Sequence, residues 1–264
     1  MGPLAFLPLH AAGIYGSTRE ERPPPGSCIF DFAVSSYTPT VTALLRIVKD
    51  PQPPQPASLL IIGQPNKPGY SAIKGITEEM DAIWRITEAK HCISLCLEGE
   101  VAMVSRVQMQ MRSHGAIHFA CHACQGAENP LESGFYLHDG PLELAEIMKQ
   151  NITNCKFAFL SGCRTSTGDE KLSREAIHLA TGMLTVGYRS VVATRWSIKD
   201  EHGPVVVEGF YKYLLENGAT LGRPGIDSDS AANALHKAIQ SIRQQIGDTE
   251  QGLLMWVPFI HFGY

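Results

Sequence analysis

FAFLSGCRTSTGDE, residues 157–170, runs from an unbroken apolar segment into a cysteine and then straight into a polar turn. Upstream, AIHFACHA, residues 116–123, ends a similar apolar segment on a histidine. Both read as strands buried on two faces, as in a parallel sheet covered by helices. Between them lies GFYLHDGPLEL, residues 134–144, with the hairpin signal Asp139-Gly140, which makes Asp139 a structural residue. Helical spacing follows over 142–150. The unit is therefore strand, hairpin, helix, strand. Parallel strands joined in this way are neighbours with a right-handed crossover. Neighbouring strands lie about 4.8 Å apart, so groups leaving their carboxyl ends share one crevice. In open α/β sheets that edge is where ligands bind. His122 and Cys163 both belong to it.

The same alternation continues outward. SLLIIG (58–63), HCISLCLEG (91–99) and RSVVATRW (189–196) read as further strands. Helical spacing covers 78–86, 102–111, 175–186, 205–215 and 231–245. The expected fold class is α/β, with a mostly parallel sheet and helices on both faces. Near the N-terminus, CIFDFAVSSYTPT (28–40) reads as a strand turning into a helix, with Thr38 as N-cap and Pro39 in the first helical position. The segments EERPPPG (20–26) and PQPPQP (51–56) are expected to be exposed loops or linkers.

Composition removes several function classes. The chain has 264 residues and a formal net charge of −4, with no Lys/Arg run that would neutralise phosphates, so nucleic acid is not an expected partner. No apolar run reaches the roughly 18 residues of a membrane span. The first residues, MGPLAFLPLHAAG, lack the basic flank and long apolar core of a signal peptide. Seven cysteines without regular spacing read as reduced thiols in a cytoplasmic protein.

A thiol near pKa 8.5 is mostly protonated at neutral pH, so a nearby imidazole matters to its nucleophilicity. Other histidines compete less well with His122. His118 lies on the same strand about 13 Å away and reads as a satisfied sheet-facing side chain. His178 falls inside a helix and His202 begins one. The cluster His118, Cys121, His122 and Cys124 invites a zinc reading, with Cys155 as a stray candidate. Structural zinc needs four converging ligands, and the two histidines stand too far apart, so no metal is expected. IIGQPNKPG follows a strand but lacks the glycine spacing of a dinucleotide site. No cofactor is expected.

In order along the chain, HFACHA, LHDGPLELAEIM, FAFLSGCRTSTGDE and AIHLATGMLTVGYRSVVATRW resemble a CHAT domain. SSYTPTVTALL, LLIIGQP and the terminal WVPFIHFG resemble CHAT segments too, particularly those of fungal proteins. CHAT domains are caspase-like cysteine peptidase domains related to separases. The resemblance implies a caspase-like three-layer α-β-α sandwich and one domain over residues 1–264, cut from a longer protein. It implies His122 as base or orienter and Cys163 as nucleophile. The backbone N–H groups of Ala123 and Cys163 would form the oxyanion hole, and a polypeptide would be the substrate. Tetratricopeptide-like or other regulatory repeats would be further partners within a full-length protein. Two positions depart from the pattern. Ala123 stands where the family usually has glycine, and Gly162 where it often has alanine. Neither removes a backbone N–H, although a methyl at Ala123 could crowd the substrate carbonyl or disfavour a positive φ.

The leading expectation is thus a cysteine endopeptidase of the caspase–separase type. The alternatives are an inactive CHAT-fold interaction module and a thiol acyl hydrolase acting on a non-peptide substrate. In separases an acid shortly after the corresponding tryptophan-bearing strand binds a basic P1 side chain. Here that acid would be Asp200, or Glu201 with a register slip of one, while Trp196 packs against the aliphatic stem. The bland reading of both acids is a cap on the helix beginning near Pro204. Arg164 beside the nucleophile offers the opposite preference, Asp at P1.

Overall fold

A computed structural model of the chain describes residues 7–16, 24, 26–42, 45, 49, 57–124, 129–150, 152–161, 172–196, 198, 201–220 and 225–263. Segment 51–56 and all but residues 24 and 26 of segment 20–26 lie outside that set; residues 24 and 26 are exposed.

Five parallel strands and one antiparallel strand form the central sheet. They are β1 (Leu59–Gly63), β2 (Ser94–Glu98), β3 (Ala116–Ala120), β7 (Phe157–Ser161), β8 (Ser190–Thr194) and β9 (Phe259–Gly263), in the spatial order β2-β1-β3-β7-β8-β9. A small antiparallel sheet, β4 (Ala123–Cys124), β5 (Gly134–Tyr136) and β6 (Pro141–Glu143), follows β3. Phe119 of β3 stacks on Phe135 of β5, centroids 3.9 Å apart, and so fastens the small sheet to the large one.

Alternation along each strand builds two cores. Leu59, Ile61, Phe157, Phe159 and Val192 face one side. There they meet α1 (Gly75–Ala89), α5 (His202–Thr220), α6 (Ala231–Ile246) and α7 (Glu250–Trp256), through Met80, Phe210, Leu235 and Trp256 among others. Leu60, Ile62, Phe119, Leu160 and Val191 face the other side. Their partners are α2 (Val104–Met111), α3 (Leu144–Lys149) and α4 (Leu172–Val186), through Met111, Ile147 and Met183. The molecule is thus the expected three-layer α-β-α sandwich. The chain leaves β1 toward the α1 face and leaves β3 toward the α3 face. Connections that diverge in this way open a crevice at the carboxyl ends of β1 and β3.

Residues 28–34 do not form a strand: Ile29–Asp31 is a 3-10 turn, and Cys28 makes only an isolated bridge to Gly13. The cause is Asp31, whose carboxylate accepts from the N–H groups of Gly26 and Cys28, a local bond that competes with ladder formation. The hairpin signal at Asp139-Gly140 holds. Leu137 N–H donates to Gly140 O at 2.9 Å, and Asp139 Oδ1 accepts from Val104 N–H at 2.8 Å, capping α2.

The N-terminal residues lie along β9 through buried histidines. His10 Nε2 donates to Val257 O (3.0 Å), which leaves Nδ1 to accept from the Tyr37 hydroxyl (2.7 Å). His261 sits between the Ser36 and Ser190 hydroxyls at 2.8 and 2.7 Å. Burial lowers both imidazoles to a pKa of about 4; the Arg195 cation adds to the effect at His10, against the opposing bond to Val257. These histidines titrate near 6.5 when unfolded, so the unfolded chain binds more protons between about pH 6.5 and 4. Stability present above pH 6.5 is therefore lost as the pH falls through that window. Urea unfolding at pH 5 should show uptake of about two protons from this pair, and His10→Gln should reduce it by about one. An unchanged pH slope in His10→Gln would contradict the assignment.

Candidate active site

Gly63 closes β1 under α1; a Cβ there would lie 1.7 Å from Met80 Sδ, so the Met80 side chain would have to move. The loop 64–74 then crosses the carboxyl end of β3. Gln64 N–H extends the ladder by donating to Ala120 O at 2.9 Å.

His122 lies two residues beyond β3, with 1% of its surface exposed. Its Nε2 is 2.8 Å from Ser71 O in the loop. A carbonyl can only accept, so Nε2 carries the hydrogen and a neutral ring keeps its lone pair on Nδ1. The Tyr70 ring packs 5.2 Å from the imidazole and 4.7 Å from the Tyr136 ring. The phenol of Tyr136 is held above its usual pKa, foremost by its hydrogen bond with Tyr70 and then by burial. This arrangement fixes the His122 ring, with its hydrogen on Nε2.

Tyr136 N–H donates to His122 O at 2.8 Å, and Ala123 pairs with Phe135. That bond makes Ala123 and Phe135 a non-hydrogen-bonded pair, so the β4–β5 ladder leaves the Ala123 N–H pointing outward. Among the described non-glycine residues only His91 has a positive φ, 52°, so alanine at position 123 carries no backbone strain of that kind.

Strand β7 runs beside β3 in parallel, with Ala120 opposite Ser161. Ser161 is two residues before Cys163 and Ala120 two residues before His122. Cys163 itself, Arg164 and Asp200 lie outside the described residues. Trp196 is half-buried, two residues past β8. Glu201 is exposed, its carboxylate 3.6 Å from His202 Nε2.

The six described cysteines are free thiols, buried or half-buried. Burial raises Cys92 and Cys96 to about 11 and Cys155 to about 12, and it raises Cys28 and Cys124 as well. None of these five is poised as a thiolate. His118 has both ring nitrogens engaged, with Glu79 Oε1 at 2.7 Å and the Tyr211 hydroxyl at 3.0 Å, as expected of a satisfied sheet-facing side chain. His178 lies within α4 and His202 begins α5. Among the described residues no group of three or more His, Cys, Asp or Glu could hold a metal ion. No described helix is long and apolar enough to cross a membrane.

The family model for the CHAT domain matches residues 1–264. The chain belongs to the CHAT domain family. No curated protein sequence matches it. Among solved structures, it is similar to the Arg-specific cysteine proteinase gingipain R (RGPB), with 9% identity and a TM-score of 0.53 over 78% of this chain and 46% of that one. The complex of Porphyromonas gingivalis RgpB pro- and mature domains gives 9% identity and a TM-score of 0.53 over 78% of this chain and 47% of that one. The Saccharomyces cerevisiae separase–securin complex gives 13% identity and a TM-score of 0.47 over 84% and 13%. The CHAT chain spans less than half the length of the gingipain chain it matches. The fold it shares with gingipain is caspase-like, an α/β sandwich around a mostly parallel sheet.

The sequence alone did not point to Tyr70, Ser71 or Lys67 as neighbours of the site. A loop leaving the carboxyl end of a strand beside β3 flanks His122, but which of its residues meets the ring is set only by the folded loop.

Proposed function

We propose that the CHAT chain is a cysteine endopeptidase of the caspase–separase type, with His122 and Cys163 as its working pair. One observation carries the reading: the seated His122 ring follows β3 at the same register at which the sequence of β7 runs on to Cys163. The thiol proton passes to Nδ1 and the thiolate attacks the scissile carbonyl carbon. The N–H groups of Ala123 and Cys163 receive the developing oxyanion. The imidazolium then protonates the leaving amine, and water, deprotonated by Nδ1, hydrolyses the acyl-enzyme. The outward Ala123 N–H and the absence of a positive φ there support an active site over an inactive interaction module. A peptidyl acyloxymethyl ketone tests this directly. Labelling should occur on the native protein and vanish in Cys163→Ala; labelling that persists, or that never occurs, would count against a live thiol. Cleavage within a peptide library separates a peptidase from an acyl hydrolase.

For specificity we propose a basic P1 residue, held by Asp200 or by Glu201 with Trp196 against its aliphatic stem. Glu201 is exposed and Trp196 half-buried, both in the segment of chain that follows β8. Gingipain R, of similar fold, is an Arg-specific proteinase. An Arg fork gains two parallel bonds to a carboxylate, so Arg is preferred over Lys. Loss of the pairing carboxylate should lower kcat/KM for Arg substrates by about 10- to 100-fold, the equivalent of roughly 1.5–3 kcal/mol for hydrogen bonds to a charged group. Fluorogenic peptides varied only at P1 decide it. Preference for Asp, or undiminished Arg cleavage in both Asp200→Ala and Glu201→Ala, would reject the assignment.

A further inference from the structure

The carbonyl that orients His122 belongs to Ser71, an exposed residue on a loop where Asn66, Pro68, Gly69 and Ala72 are exposed as well. Such a carbonyl needs something to hold it. One end of the loop is anchored by buried Ile73, whose N–H donates to Pro65 O at 3.0 Å. The other support is Lys67. Its ammonium donates to two adjacent carbonyls in the β5–β6 connection, Leu137 O at 2.5 Å and His138 O at 3.0 Å. Among the described residues no carboxylate lies within ion-pair distance of it, so its role here is carried by those carbonyls. Tyr70 N–H donates to Lys67 O at 3.0 Å, which couples the clamp to the residue beside Ser71. The hairpin end it grips is itself fixed, because His138 N–H donates to Ala102 O at 3.1 Å and Asp139 caps α2. Lys67 therefore ties the loop to the β5–β6 hairpin, with Tyr70 packed against both His122 and Tyr136.

We propose that Lys67 is a positioning residue for His122: by clamping loop 64–74 to the Leu137 and His138 carbonyls it keeps Ser71 O on Nε2 and the lone pair on Nδ1. The effect on turnover rests on the peptidase reading above; the effect on the ring does not. A freed loop would let the neutral imidazole exchange tautomers, and the Nε2 lone-pair form cannot accept the thiol proton at Nδ1. Substrate contacts would be unchanged.

The test uses the full chain and two variants, Lys67→Met, which keeps the length without donors, and Lys67→Arg, which restores them. Nitrogen-15 imidazole spectra at neutral pH, with His122 assigned by loss of its signals in His122→Gln, should show Nε2–H alone in the native and Lys67→Arg proteins. Lys67→Met should show mixed tautomers. With a peptide substrate, kcat should fall about 10- to 100-fold in Lys67→Met with KM within twofold, and Lys67→Arg should recover most of it. If Lys67→Met does not fold, Lys67→Gln, with a single donor group, should show the same change in smaller degree. An unchanged His122 tautomer in the folded Met or Gln variant overturns the proposal whatever hydrolysis does, as does an equal loss in Lys67→Arg. A native protein with no Cys163-dependent turnover would defeat the peptidase reading alone, and the spectra would still decide the clamp.

Discussion

Replacing Cys163 by alanine is expected to lower kcat for peptide hydrolysis by at least about 10⁴-fold, and His122→Ala should cost nearly as much. Both losses have one cause. Without the thiol there is no covalent intermediate, and without the imidazole the thiol stays protonated and the leaving amine receives no proton. Residues that act as a unit lose their function together, so the double variant should be no slower than the worse single one. What survives is the modest acceleration from substrate binding and the oxyanion donors. The other thiols give the contrast. Cys121 and Cys124 flank His122, yet one is buried and the other is held protonated by burial. Cys121→Ser and Cys124→Ser should lose stability while keeping specific activity per folded molecule. Rates multiplied down in the double variant, or a folded Cys124→Ser protein without activity, would show that the chemistry is differently shared.

The sheet was legible because strands covered on both faces must be apolar throughout: LLIIG, AIHFA, FAFLS and SVVAT carry no competing pattern. His122 was legible for the opposite reason, as a polar group set where an apolar run ends. Other features had no such mark. FIHFG of β9 follows the seven-residue helix α7 after only Val257 and Pro258, and its antiparallel pairing with β8 depends on the distant partner. In CIFDF the apolar content suggested a strand, but one carboxylate, Asp31, bends the chain into a turn. The Ser71 carbonyl is the clearest case. A backbone acceptor has the same chemistry at every residue, so only the folded loop reveals which one meets the imidazole.

The buried polar group beneath the site leads to the second large expected effect. Glu79 of α1, His118 of β3 and Tyr211 of α5 form a chain with almost no solvent contact, and His118 also stacks on Phe159 with centroids 5.0 Å apart. It binds one helix of the α1 face to another across the strand that leads to His122. The packing leaves little slack: a Cβ on Gly203, in the first turn of α5, would lie 3.2 Å from Glu79 Oε2. A buried carboxylate is tolerated only while it is hydrogen-bonded, so removing its donor costs far more than the bond was worth. His118→Phe keeps a ring of similar shape but strands the Glu79 carboxylate and the Tyr211 hydroxyl, and should destabilise by about 3–5 kcal/mol. Glu79→Met removes the carboxylate, leaves the His118 Nε2–H without its acceptor, and should cost about 1–3 kcal/mol. Combined, the two substitutions put apolar groups of matching size against each other, so the double variant should be more stable than His118→Phe alone. Urea unfolding of all four proteins at one pH completes the cycle. If the two single costs simply add, the chain is two separate bonds and not one cooperative unit.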